Sequence, residues 1–309
     1  MKSTKLVLIR ILSIVLVVCS VFLCGFTIVK YNDRKLQFES NVKLKESEID
    51  NQQKQLVSVA KAIENCKAEY QPIVKDISNK SSLVSQKKGE LTRLLNKKNG
   101  KAKVCYLTFD DGPSDNTLKI INILKEKDVK GTFFVTGRGN SSYMKKIVDS
   151  GNQIALHTYS HDYDDIYEST DAYFKDLNKI SNLVKQKTGV DAKVIRFPGG
   201  SSNTISRNYC NGIMTKLSKM VEDRGYKYFD WDVDSTDAMS DSRSATDIFN
   251  AVKRNLGGRT RVTILMHDTG AKKSTVQALP RIIDYLRNEG FEFAALTVDS
   301  PAVHHGINN

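Results

Sequence analysis

The chain has 309 residues and a formal net charge of +12, with 27% charged and 8% aromatic side chains. Those values exclude a wholly disordered chain, a polytopic membrane protein and a collagen-like fibre, and the length suits about two folded units. Five cysteines exclude a disulfide-stapled scaffold, and the odd count leaves at least one thiol unpaired within the chain.

Residues 11–29 read ILSIVLVVCSVFLCGFTIV, a run of 19 without a charge. At about 1.5 Å per residue such a helix crosses about 30 Å of hydrocarbon. Lys2, Lys5 and Arg10 precede it, whereas Lys30, Arg34 and Lys35 follow, offset by Asp33, which slightly favours a cytoplasmic N-terminus. A cleaved signal peptide would have a shorter apolar region ending in a small-x-small site, and Cys24-Gly25-Phe26 is a poor one. Residues 1–30 therefore read as a cytoplasmic tip and an uncleaved signal anchor. A single-pass protein of the cell membrane is expected, with everything after residue 30 extracytoplasmic.

Residues 31–100 read as a helical coiled-coil stalk. Val42, Ile49, Leu56, Ile63, Tyr70, Ile77, Val84 and Leu91 recur every seven residues. Taking these as position a, position d holds Phe38, Val59, Cys66, Ile73 and Leu94, but also Lys45, Gln52, Lys80 and Lys87. Pro72 is expected to kink or end a helix, residues 78–82 offer a second break, and Asn99-Gly100 closes the segment. A parallel dimeric stalk and an intrachain antiparallel hairpin both fit; the first permits a homodimer with Cys66 facing its copy. The positive charge concentrates nearby: residues 30–103 hold 17 basic and 9 acidic side chains, against 27 and 26 in residues 104–309. A nucleic-acid-binding fold would carry its basic patch on the folded domain, so no nucleic acid is expected as a partner. A solvated basic stalk is the plain reading, and attraction to anionic lipid or wall polymer the sharper one.

From residue 101 to 309 the pattern changes to strands alternating with helices. Strands are predicted at 104–109, 132–136, 153–157, 193–197, 227–231, 262–267 and 291–298. Amphipathic helices are predicted at 115–127, 141–150, 171–188, 211–223, 244–255 and 275–288, with Ser114 capping the first and Gly189 closing the third. The fold class is α/β, a parallel barrel or sheet preceded by the membrane helix and stalk. In such barrels chemistry collects at the strand C-terminal ends. Here those ends read Asp110-Asp111-Gly112-Pro113, His157-Thr158-Tyr159-Ser160-His161, Arg196-Phe197-Pro198-Gly199-Gly200, Asp234-Ser235-Thr236-Asp237 and Leu265-Met266-His267. Two histidines four apart with a carboxylate suit zinc or another divalent metal, leaving positions open for water. Gly112-Pro113 supplies the turn that lets both carboxylates reach one site, one as ligand and one as base. His267 is the candidate general acid, Asp237 a partner for its imidazole, and Arg196 a partner for the basic carboxylate.

In this order the five segments resemble the polysaccharide deacetylases of carbohydrate esterase family four, the NodB-homology domain, over roughly residues 102–300. The resemblance implies a distorted (β/α)7 barrel. It gives Asp110 the role of base, Asp111, His157 and His161 those of metal ligands, and His267 that of acid, with Arg196 and Asp237 tuning base and acid. It implies that the Gly199 N–H helps bind the oxyanion and that Leu265 lines the acetyl pocket. Two positions depart from the family pattern. Gly199 stands where a tyrosine is frequent, and Ala238 stands where a tryptophan usually lines the pocket, a gap that Trp231 or another side chain would fill. The implied cofactor is one divalent metal, Zn2+ foremost, with Co2+, Ni2+ or Mn2+ suiting the same ligands. The implied reaction is hydrolysis of N-acetyl groups from amino sugars of a polymer. An anchor and outward stalk favour cell-wall polysaccharide as partner, and peptidoglycan N-acetylglucosamine as substrate. The alternatives are N-acetylmuramic acid, poly-N-acetylglucosamine or a xylan ester, or a non-catalytic wall-binding or assembly protein.

Overall fold

The computed structural model describes residues 2–98 and 102–309. By internal contacts the chain divides into two units, Met1–Lys80 and Ser81–Asn309. Helix α1 (Lys2–Lys98) is a single uninterrupted helix. It is the one helix among the described residues long and apolar enough to cross a membrane. Its a-position side chains Ile49, Leu56, Ile63, Tyr70 and Ile77 are all exposed. The breaks expected at Pro72 and at residues 78–82 do not occur. Proline removes one backbone donor from a ladder of many turns, and residues 78–82 contain neither Gly nor Pro. With no turn in α1, the antiparallel hairpin does not form. The expected stop at Asn99-Gly100 lies outside the described residues.

The second unit is α/β. In chain order it contains β1 (Lys103–Asp110), α2 (Asp115–Glu126), β2 (Gly131–Thr136), α3 (Met144–Asp149), β3 (Gln153–Thr158) and the short α4 (Tyr163–Ile166). There follow α5 (Thr170–Thr188), β4 (Val194–Ile195), α6 (Ile213–Asp223), β5 (Lys227–Tyr228), β6 (Val233–Asp234) and α7 (Ala245–Asn255). The last three are β7 (Arg261–His267), α8 (Lys273–Asn288) and β8 (Phe291–Phe293). All pairings are parallel, in the order β5-β4-β3-β2-β1-β7-β6, with β8 beside the start of β1. Among the described residues no pairing joins β5 to β6, so the sheet curls into an open (β/α)7-type half-barrel.

Local chemistry sets the boundaries. Ser114 caps α2 by accepting from the Asn116 N–H, and its own N–H donates to Thr117 Oγ1 at 2.7 Å. Ser169 caps α5, which closes on Gly189 at φ 78°. Residues 141–143 form a 3-10 turn before α3, capped by the Asn140 side chain. The strand expected at 227–231 stops at Tyr228. Beyond it, the carbonyls of Phe229 and Asp230 accept from the Arg196 guanidinium, and the Asp230 N–H donates to Val303 O. Strand β8 is likewise shorter than expected, because beyond Ala294 the chain leaves β1 and the Leu296 N–H bonds the Thr132 hydroxyl.

Alternation along β1 and β7 sorts the two faces. Leu107, Phe109, Ile264 and Met266 are fully buried in the core under the helices. Tyr106, Phe134, Ala155, Val194, Phe229 and Leu296 form a smaller cluster on the other face. Thr108 pairs with Leu265 and Asp110 with His267, so these four lie on that second face at the strand ends.

Candidate active site

Neighbouring residues on a strand point to opposite faces, yet Asp110 and Asp111 serve one site. The cause is Asp111 itself, which takes a left-handed φ of 72°. Of four non-glycine residues with positive φ among the described residues, three lie at these strand ends: Asp111, His161 (51°) and Thr236 (60°). Such conformations cost about 1–3 kcal/mol each and persist where surrounding structure holds them. The turn is clasped to the loop after β7. Ser114 Oγ donates to Asp268 O at 2.5 Å, Thr117 Oγ1 donates to the Asp268 carboxylate, and Asn116 Nδ2 donates to Thr269 O at 2.8 Å.

Asp111 Oδ1 lies 3.4 Å from His157 Nε2 and 3.2 Å from His161 Nε2. His157 Nδ1 donates to the carbonyl of Arg196 at 2.7 Å, so in the neutral ring Nε2 carries the lone pair. That lone pair faces a carboxylate oxygen, acceptor to acceptor, and Oδ1 is buried without a hydrogen bond. The three ligand atoms lie within 4.8 Å of one another. Two imidazole nitrogens and a carboxylate oxygen converging without hydrogen bonds fit a divalent cation. Burial holds His157 below the ordinary histidine range, against the pull of Asp110 and Asp111. Burial alone would raise Asp111, but His161 and His157 outweigh it and hold the carboxyl well below the usual range. The His161 loop is fixed by Asp176 of α5, whose carboxylate accepts from the N–H groups of Tyr159 at 2.5 Å and Ser160 at 3.0 Å. Sequence reasoning did not single out Asp176.

Asp110 is 2% exposed and meets Arg196 Nη1 at 2.8 Å. Arg196 is fully buried and held on every side. Nη1 also reaches Thr108 Oγ1 at 2.8 Å, Nε reaches Phe229 O at 2.9 Å, and Nη2 reaches Asp230 O at 2.9 Å. A guanidinium so fixed keeps a buried carboxylate paired, whereas deleting it would strand the charge. Across the site, His267 Nδ1 lies 2.7 Å from Asp237 Oδ1. Asp237 Oδ2 accepts from the His267 N–H and from Thr275 Oγ1, both at 2.8 Å. Burial opposes the charged imidazole, but the hydrogen bond and charge of Asp237 prevail and push His267 up to about 9.

Gly199 has a φ of 76°, and among the described residues no acceptor takes its N–H. A Cβ there would lie 2.6 Å from Tyr163 Oη. Tyr163, packed edge-on against His161, therefore occupies the space beside this glycine. Leu265 is nearly buried, two residues before His267 on the same face. Trp231 packs against Gly200 and His305 and lines a separate cavity of about 500 Å³. Asp268 was also missed. Its buried carboxyl is pushed up to about 7 by burial, with Asp111 and Asp110 adding to the rise against the lowering bond from Thr117. The available signal was an acid directly after the strand-end histidine. A cleft of about 330 Å³ opens over Asp111 and His161, bounded by Pro113, Arg138 and Gly270.

Comparison with known proteins agrees with this geometry. Residues 97–214 match the family described as polysaccharide deacetylase. A peptidoglycan-N-acetylglucosamine deacetylase of Bacillus cereus is 31% identical over 218 residues, covering 68% of this chain and 74% of that protein. A putative polysaccharide deacetylase, YheN, of Bacillus subtilis is 29% identical over 221 residues, covering 69% and 74%. The crystal structure of the catalytic domain of peptidoglycan N-acetylglucosamine deacetylase from Eubacterium rectale shares 40% identity, with a TM-score of 0.64 over 67% of this chain and 94% of that one. The match runs through the turn of the two aspartates, the paired histidines and the buried arginine, and the chain belongs to the polysaccharide deacetylase family of hydrolases.

Proposed function

We propose that the domain at residues 101–309 removes the acetyl group from N-acetylglucosamine in peptidoglycan, outside a membrane in which the start of α1 anchors it. The observation that carries the reading is the meeting of two differently held groups on one rim, Asp110 and His267 being register partners at the ends of β1 and β7. Asp110 is paired with a buried guanidinium, and His267 is kept protonated by Asp237. The relatives named above supply the substrate class.

Asp111, His157 and His161 would hold the metal, for which Zn2+ suits two imidazoles and a carboxylate, with Co2+, Ni2+ or Mn2+ also compatible. A bound divalent metal supplies Lewis acidity and lowers the pKa of water toward about 7. Asp110 accepts the proton of the attacking water, and the 2.8 Å pair with Arg196 holds its carboxylate in position for that task. The Gly199 N–H donates to the oxygen on which negative charge develops. His267 then protonates the departing amine, and Asp237 stabilises the imidazolium until it does. The products are acetate and a free glucosamine amine. Leu265 closes the apolar side around the acetyl methyl, and Tyr163 supplies an aromatic wall beside Gly199.

α1 serves as anchor and spacer. With a hairpin excluded, its exposed apolar seam pairs with a second copy in parallel, which places Cys66 opposite Cys66 of that copy.

The test is mass spectrometry of muramidase digests of purified wall glycan treated with the full-length chain. Loss of acetyl from the glucosamine residue alone is expected. Loss from the muramic residue, or none, contradicts the proposal.

A further inference from the structure

The cleft over Asp111 does not end at the metal ligands. A second cavity of about 440 Å³ adjoins it and shares Pro113, Ser114, Arg138, Gly139 and Gly270 with it. This outer arm brings together Arg138, Lys119 and Lys273, all exposed. Lys119 bonds only Asn116, at 3.3 Å; among the described residues neither Arg138 nor Lys273 makes an ion pair within 4.0 Å, the Arg138 charge acting only at longer range on the exposed Asp162. The carboxylate in the arm, Asp115, accepts from the Tyr143 hydroxyl at 2.9 Å. Over 104–309 as a whole the charges nearly balance, with 27 basic and 26 acidic residues, so three cations beside one carboxylate are a local excess.

We infer that the arm is a subsite for an anionic substituent of the polymer, the carboxylate carried by the lactyl-peptide stem of the sugar next to the one deacetylated. This deepens the peptidoglycan reading and rests on it. In peptidoglycan every second sugar carries such an acid, whereas chitin and poly-N-acetylglucosamine present none beside the reacting group. Free guanidinium and ammonium groups recruit a carboxylate by charge-assisted hydrogen bonds. The shared lining from Ser114 to Gly270 makes the arm continuous with the cleft over the metal ligands. A neutral glycan would bind in the inner cleft without using the arm.

The full-length, metal-loaded protein is compared with Arg138→Gln/Lys273→Gln and Arg138→Glu/Lys273→Glu. Substrates are wall glycan, the same glycan with its carboxyls amidated, and an N-acetylglucosamine oligomer. The readout is the ratio of kcat/KM on native glycan to kcat/KM on amidated glycan, at two salt concentrations. The expected wild-type ratio exceeds one and falls at high salt, and the glutamine pair lowers it about 5-fold, as for two exposed ion pairs. The glutamate pair should carry it below one. A ratio unchanged by both pairs, or equal rates on the two glycans with the wild type, overturns the subsite while leaving deacetylation intact. If the wild type releases acetate from the oligomer but from neither glycan, the peptidoglycan reading fails and the subsite with it.

Discussion

At the residue scale, His267 shows how one partner decides a protonation state. Burial disfavours the imidazolium, yet the Asp237 carboxylate at 2.7 Å moves the group from 6.5 to about 9. In the metal-free protein the His267 ring resonances should titrate near pH 9. Asp237→Asn removes the strongest raising charge and leaves the burial and the weaker pull of Asp110 and Asp111, so the same ring should titrate lower than in the wild type. Because the folded-state value lies above 6.5, the pair's stabilisation is complete below about pH 6.5 and is lost as pH rises through about 9. The kcat/KM profile of the mutant should lose its alkaline plateau first, since the acid is deprotonated earlier. Gly199 is the second residue-scale test. Gly199→Ala sets a Cβ at φ 76° and 2.6 Å from Tyr163 Oη, which should cost about 1–3 kcal/mol in chemical denaturation. Tyr163→Phe in the same chain should recover the part due to the hydroxyl contact, while the backbone strain stays.

At the element scale, the site is a set of strand ends tied to one another by loops. Gly112 sits where the β1 turn meets the loop after β7, and a Cβ there would lie 2.3 Å from Asp268 Oδ2. Gly112→Ala should therefore destabilise the domain by about 1–3 kcal/mol as an overpacked buried site. It should also weaken metal affinity, read by calorimetry, because Asp111 is the next residue. Much of this arrangement was legible beforehand. Alternating strands and helices gave an α/β fold, and the parallel register that sets Asp110 beside His267 follows from strands whose C-terminal ends share one rim. The nearness of Asp111, His157 and His161 was foreshadowed by their residue types at strand ends on one rim, those of β1 and β3. What was not legible depends on tertiary partners. Strand five stops early because Arg196 takes its carbonyls, a contact across 33 residues. Asp111 makes its own left-handed turn, one residue before the Gly112-Pro113 pair to which the turn had been assigned. Asp268, Asp176 and Tyr163 act on the site from beside it, and only the folded chain shows what they touch. Pro72 was misleading for the opposite reason: a local breaker yields when the helix on both sides of it continues.

At the scale of the whole molecule, a long basic helix with an apolar seam precedes a nearly neutral catalytic domain. Position a is apolar throughout, and from Val59 to Ile77 both core positions are, so pairing should be strongest around Cys66. Mild oxidation of membranes holding the full-length chain should yield a reducible dimer on gels, and Cys66→Ser should abolish it. The comparison is made in a chain that also lacks Cys19 and Cys24, which lie in the apolar run; there, no bridge through Cys66 contradicts the parallel register.

The central claim is that Asp110, working beside a metal held by Asp111, His157 and His161, drives deacetylation. The most direct measurement is acetate release from an N-acetylglucosamine polymer by the full-length chain and by Asp110→Asn, each stripped with chelator and then given zinc. The account predicts release by the wild type only when zinc is restored. For Asp110→Asn it predicts zinc binding close to wild type with turnover reduced at least about 100-fold, the scale of a lost general base. Equal turnover by the two proteins, or release that survives the chelator, would contradict it.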